Sequence, residues 1–114
     1  MSLQVDTVFI WVNDLEQALE WYTAIGFEPG ERYGPWQTLQ VDGDVAFALH
    51  QGIREDGPAT AVISFLVDDL DAEMRRLSDL FIEPSDDEVT DSGTARFITY
   101  TDPDSNEIQL LERP

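Results

Sequence analysis

Val12-Asn13-Asp14-Leu15 and Val67-Asp68-Asp69-Leu70 are one phrase written twice. Each tetrad closes an apolar, strand-like run: Val8, Phe9, Ile10 and Trp11 before the first, Ile63, Ser64, Phe65 and Leu66 before the second. Each also opens a stretch with helical apolar spacing, residues 16–25 and 71–80. A unit repeated at this scale fixes the architecture into which every other motif has to fit.

Outward from the first tetrad, residues 4–12 alternate as a strand, with Thr7, Phe9 and Trp11 on one side and Val8, Ile10 and Val12 on the other. Both sides are largely apolar, so both are expected to be covered, one of them by a helix. Asn13 is placed to cap that helix, and Glu16 three residues on completes a capping-box-like signal. Leu15, Ala18, Leu19, Tyr22 and Ile25 form its apolar stripe, and Gly26 ends it in a left-handed cap. Phe27-Glu28-Pro29-Gly30 starts an edge strand or turn, where proline is tolerated. Residues 35–41 are a strand with Trp36, Thr38 and Gln40 on one face and Gln37, Leu39 and Val41 on the other. Asp42-Gly43-Asp44 makes a tight hairpin turn. Residues 45–51 return with Val45, Phe47 and Leu49 on one face, and Ala46, Ala48 and His50 on the other.

The second half repeats the plan. A polar connection over 52–60 contains Gly57 and Pro58, and a strand follows over 60–67. Asp68 is placed to cap a helix through Leu80, and residues 81–88 hold a short strand broken by Pro84. Residues 94–101 are a further strand, Asp102-Pro103-Asp104-Ser105-Asn106 a turn, and 107–112 the closing strand. The expectation is one α+β domain over 1–114, built as two tandem βαβββ modules, repeat one about 4–52 and repeat two about 60–113. Neither half buries both faces alone, so pairing the halves predicts a cup-shaped mixed sheet with helices outside.

A chain of 114 residues with 42% apolar content is long enough to bury a core. It contains no cysteine, which excludes disulfides, thiol nucleophiles and thiolate metal sites. No apolar run approaches the roughly 20 residues of a bilayer span. The start, Met1-Ser2-Leu3-Gln4-Val5-Asp6, lacks the pattern of a secretion signal, so a cytoplasmic location is expected. Charge is the loudest compositional signal: 24 acidic residues face 6 basic ones, every one of them Arg, for a net charge of −18. Self-repulsion at that charge is severe in dilute buffer and largely screened in molar salt, where the Debye length is about 3 Å. The acidic, lysine-free composition is read as adaptation to a salt-filled cytoplasm, as in a halophile. Nucleic acid is disfavoured as a partner, because phosphates need Lys and Arg.

Several of these residues also form a family pattern. Val12-Asn13-Asp14-Leu15-Glu16-Gln17-Ala18, followed by Trp21-Tyr22 and Gly26-Phe27, resembles the opening of the vicinal oxygen chelate superfamily. That superfamily comprises glyoxalases, bleomycin-resistance proteins and extradiol dioxygenases. Asp102-Pro103-Asp104-Ser105-Asn106 with Ile108-Gln109-Leu110 resembles its closing turn and last strand. The resemblance spans nearly the whole chain, and implies two βαβββ modules forming a cup, often completed by a second subunit as a homodimer.

The family's enzymes usually hold a divalent metal in that cup with four side chains. By resemblance the four seats fall at Thr7, Val62, Ala48 and Gln109, where His and Glu are normally found. A divalent ion needs oxygen, nitrogen or sulfur donors, preferably charged or imidazole ones. Val62 and Ala48 supply none, so no metal and no other cofactor is expected. A one-residue slip does not help, because strand parity sends Asp6 to the face opposite Thr7.

The same parities gather Thr7, Phe9, Trp11, Trp36, Ala48, His50, Ser64 and Gln109 as candidate ligand-binding residues, with Thr38, Ala46, Val62 and Leu66 beside them. An apolar and aromatic wall with a few polar groups is the usual make-up of a small-molecule site. Trp11 and Trp36 are placed to sandwich a planar or cationic ligand; the plainer reading has them filling core or a dimer interface. His50, the only histidine, is a candidate base or ligand contact, or simply a hydrogen-bonded strand residue. Arg96 suits a ligand carboxylate or, more simply, a surface salt bridge. The residues thus support a metal-free binding protein for an aromatic or cationic small molecule. The alternative is an enzyme of the family (lyase, isomerase or dioxygenase type) with atypical ligands, or a metal-free mechanism using His50.

Overall fold

The computed structural model describes residues 8–52 and 62–114, in the order β1 (Phe9–Val12), α1 (Leu15–Ile25), β2 (Glu28–Tyr33), β3 (Trp36–Val41), β4 (Asp44–Gln51), β5 (Val62–Leu66), α2 (Leu70–Asp79), β6 (Thr90–Asp91), β7 (Arg96–Thr101) and β8 (Glu107–Glu112). The expected first-strand residues before Val8, Thr7 among them, and most of the 52–60 connection lie outside the described residues. The chain divides into two compact units, Met1–Gly57 and Pro58–Pro114.

In the first unit the sheet order is β1-β4-β3-β2, and in the second β5-β8-β7-β6, the same permutation of the same plan. The first and last strands of each unit pair in parallel, and the remaining pairs are antiparallel. A parallel pair needs a long crossover, which the helix and two intervening strands supply. The result is two four-stranded mixed sheets, each with one helix: the α+β architecture the repeat predicts. No helix among the described residues is long and apolar enough to cross a membrane.

The helix on each sheet is anchored by its own first turn. Asp14, not Asn13, caps α1: its carboxylate accepts the Gln17 N–H at 3.1 Å. Asp69, not Asp68, caps α2 by accepting the Ala72 N–H at 3.0 Å. A cap must stand immediately before the first helical residue, and the helices begin at Leu15 and Leu70. A second anchor comes from the last strand of each unit. Gln51 Oε1 accepts the Leu15 N–H at 3.0 Å, and Glu112 Oε1 accepts the Leu70 N–H at 2.9 Å. Gly26, at φ 135, closes α1 by donating to the carbonyls of Tyr22 and Thr23.

The helix stripes form the cores. In the first unit Leu15, Ala18, Tyr22 and Ile25 pack on Val12, Leu39, Phe47 and Leu49, all buried. Tyr22, Phe27 and Phe47 meet edge-on or tilted, with ring centroids 5.3–6.0 Å apart. Gln37 is buried too, and its amide is satisfied by the carbonyls of Gly30 and Thr38. In the second unit Leu70 and Leu77 bury against Ile98, Tyr100, Ile108 and Leu110.

Two further expectations fail, each for a physical reason. Val45 does not share a face with Phe47 and Leu49. The β3–β4 register passes from Leu39↔Phe47 to Gln40↔Val45, so Ala46 is an extra residue and Val45 turns to the Gln40 side, 56% exposed. The strand expected over 81–88 is absent. That segment runs beside β7 with Ser85 N–H donating to the Thr99 carbonyl, but the Thr99 N–H is taken by the Asp86 carboxylate. A side chain fills the place of the ladder carbonyl, and the short edge strand forms later, at Thr90–Asp91. The hairpin at Asp42-Gly43 is as expected, with both residues at positive φ, 52 and 84.

Candidate ligand-binding face

With Phe47 and Leu49 turned to α1, alternation puts Ala48 and His50 of β4 on the other face of the first sheet. Register then sets the neighbours. Trp11 and Trp36 both stand opposite His50, and Phe9 and Thr38 both stand opposite Ala48. Two rows result across three strands: Trp11–His50–Trp36 and Phe9–Ala48–Thr38.

The rows interlock through ring contacts. His50 lies 4.3 Å from Trp11, 5.6 Å from Trp36 and 5.8 Å from Phe9, centroid to centroid. Phe9 and Trp36, on strands with β4 between them, are nevertheless 5.1 Å apart. Flanking strands sit about 9–10 Å apart across a middle one, so these two rings must lean over Ala48. Ala48 is small enough to permit it and is fully covered in consequence. Phe9 and Trp11 remain 43% and 38% exposed, an aromatic surface left open on the face away from α1.

Backbone geometry holds this arrangement. The Gly52 N–H donates to the Val12 carbonyl, and the Trp11 ring rests against Gly52, where a Cβ would stand 2.8–2.9 Å from two ring carbons. His50 Nδ1 lies 3.1 Å from the Gln51 carbonyl. The sequence carries no signal for Gly52, since the contact arises from how β1 and β4 lie side by side.

In the second unit, the face away from α2 carries Val62, Ser64 and Leu66 of β5, with Gln109 of β8 opposite Ser64 and Thr99 of β7 opposite Gln109. Ser64 donates to Gln109 Oε1 at 2.7 Å. Leu66 is 70% exposed. Arg96 is not part of this surface: it shares the α2 side with Ile98 and Tyr100 and pairs with Asp71 at 3.1 Å and Glu112 at 3.3 Å. Its guanidinium is held charged chiefly by the Asp71 hydrogen bond, the salt-bridge reading of this residue. Asp102 is structural, its carboxylate accepting the Asp104 and Asn106 N–H groups and the Asn106 amide within the β7–β8 turn.

Ala48 beside Phe9 and Gln109 beside Ser64 occupy matching places in the two registers. As a divalent-metal set the seats do not fit. Ala48 and Val62 have no donor atom, and the Gln109 carbonyl already accepts from Ser64. Among the described residues no three His, Cys, Asp or Glu side chains gather where an ion could be held.

The chain belongs to the Glyoxalase/Bleomycin resistance protein/Dioxygenase superfamily, whose model matches residues 4–110. Among solved structures it is similar to a glyoxalase/bleomycin resistance protein from Catenulispora acidiphila, 29% identical over 95% of this chain and 98% of that one, with a TM-score of 0.74. It shares the fold of the fosfomycin resistance protein FosX from Listeria monocytogenes, at 17% identity over 100% and 96% of the two chains and a TM-score of 0.80. It shares the fold of the oxidase ChaP-H2 as well, at 20% identity over 100% and 96% and a TM-score of 0.74. No functionally curated protein matches.

Proposed function

We propose that this protein binds an aromatic or cationic small molecule on the open sheet face of its first unit, without the divalent metal of the family's enzymes. The observation that carries the reading is the row Trp11–His50–Trp36 with Phe9 leaning across it. Partly exposed rings at several angles offer stacking and cation–π attraction to a flat or positively charged guest. A net charge of −18 draws cations and repels anions, which favours the same guests. The reading extends to a cytoplasmic homodimer working in high salt, consistent with the composition and with the resemblance to its family.

Titration of the intrinsic tryptophan fluorescence with aromatic cations and neutral aromatics tests it. A saturable change is expected, and Trp11→Ala or Trp36→Ala should weaken it about tenfold or more, the loss of one stacking partner worth about 1–2 kcal/mol. Manganese, zinc and nickel salts should leave the melting temperature unmoved. Stoichiometric metal in protein purified without chelator would overturn the metal-free part.

A second reading is enzymatic, with His50 as a metal-free base. The observation in its favour is that His50 Nε2 has no hydrogen bond to any described residue. Turnover abolished by His50→Gln with binding retained would select it.

A further inference from the structure

The only histidine stands at the centre of the aromatic row, and its two ring nitrogens are placed differently. Nδ1 faces the Gln51 backbone carbonyl at 3.1 Å. A carbonyl oxygen can only accept, so Nδ1 carries the hydrogen. In the neutral ring that leaves Nε2 as a bare lone pair. Three rings surround the imidazole, and among the described residues none donates to Nε2.

We propose that His50 Nε2 is the hydrogen-bond acceptor of this face, and that it selects aromatic ligands carrying an O–H or N–H donor. The inference rests on the ligand-binding reading above and adds the chemical class of its guest. A flat ring lying against Trp11 or Trp36 brings its edge substituents level with the imidazole between them. There a phenolic hydroxyl or heteroaromatic N–H meets a lone pair in an apolar surround, where a hydrogen bond is strongest. A guest presenting only acceptors meets lone pair against lone pair and is discriminated against. Trp11, seated on Gly52, holds the imidazole from one side, and the Gln51 carbonyl fixes its tautomer.

Two measurements decide it. With a single histidine, the imidazole nitrogen resonances of labelled full-length protein in mildly alkaline buffer report one tautomer without ambiguity. The Nδ1–H form is expected, and an Nε2–H form overturns the proposal. Fluorescence titration with para-ethylphenol and with para-ethylanisole, its methyl ether, then compares two probes of one shape. The phenol should bind roughly tenfold more tightly, the worth of one neutral hydrogen bond in a partly dry site. His50→Leu should erase that preference, while His50→Gln, which keeps an acceptor at similar reach, should restore part of it. Equal binding of the two probes to the unsubstituted protein refutes the selectivity and leaves the ligand-binding reading standing. Binding of neither probe nor any aromatic cation refutes both.

Discussion

At Gly52 a hydrogen stands where any other residue would place a carbon within 2.9 Å of the Trp11 ring. The backbone there is not left-handed, so alanine is tolerated by the chain and refused only by the indole. Gly52→Ala should push Trp11 off His50 at a cost of about 1–3 kcal/mol, seen as a changed near-ultraviolet circular dichroism band and a lower urea midpoint. In Gly52→Ala/Trp11→Leu the cost should largely vanish. Tyr100 makes a different prediction. Its hydroxyl is buried with no hydrogen-bond partner among the described residues. Burial, and then the nearby Glu83 and Glu73 charges, hold it above the usual tyrosine value of 10.0, with Arg76 pulling the other way. The unfolded chain therefore ionises first. Stability from this group is complete below pH 10.0 and falls as pH climbs toward the higher folded value. Tyr100→Phe should be neutral or stabilising by about 1 kcal/mol at neutral pH, and should soften the alkaline loss measured by chemical denaturation.

Among the elements, the two helices are held the same way twice: a carboxylate cap before the first residue, and an acceptor from the last strand on the first N–H. Asp14→Ala and Gln51→Ala should each cost about 1 kcal/mol in urea unfolding. Glu112→Ala should cost more than Gln51→Ala, because Glu112 also pairs with Arg96. Equal losses would mean that the Arg96 pair contributes nothing. The sequence announces both helix starts but misplaces each cap by one residue. Neighbouring Asn13-Asp14 and Asp68-Asp69 have nearly the same capping chemistry, and only the entry path of the backbone chooses between them. The bulge at Ala46 was not legible for a related reason. Alternation in 45–49 reads as an unbroken strand, and the extra residue exists only relative to β3. The segment over 81–88 shows the reverse, with a plausible strand pattern replaced by one side chain, Asp86, bonding to β7.

For the whole molecule, a net charge of −18 leads to the expectation that the fold depends on salt. We expect the melting temperature to rise steeply between dilute buffer and molar potassium chloride, then level off as the Debye length shrinks toward about 3 Å. Full helicity with an unchanged melting temperature in dilute buffer would sink the halophilic reading. Sulfate and chloride at equal ionic strength separate screening from salting-out, since screening alone makes them equivalent.

The sequence by itself determined the repeated βαβββ plan, the hairpin at Asp42-Gly43, the left-handed end of α1 at Gly26 and the parity that puts Phe9, Trp11, Trp36 and His50 on one face. These are short-range properties, set by alternation, helical spacing and the φ each residue tolerates. Tertiary structure alone decided that Phe9 and Trp36 meet over Ala48, that Trp11 rests on Gly52, and that Val45 changes face. Each depends on register between strands, which is fixed by packing among residues far apart in the chain and leaves no mark on any local stretch.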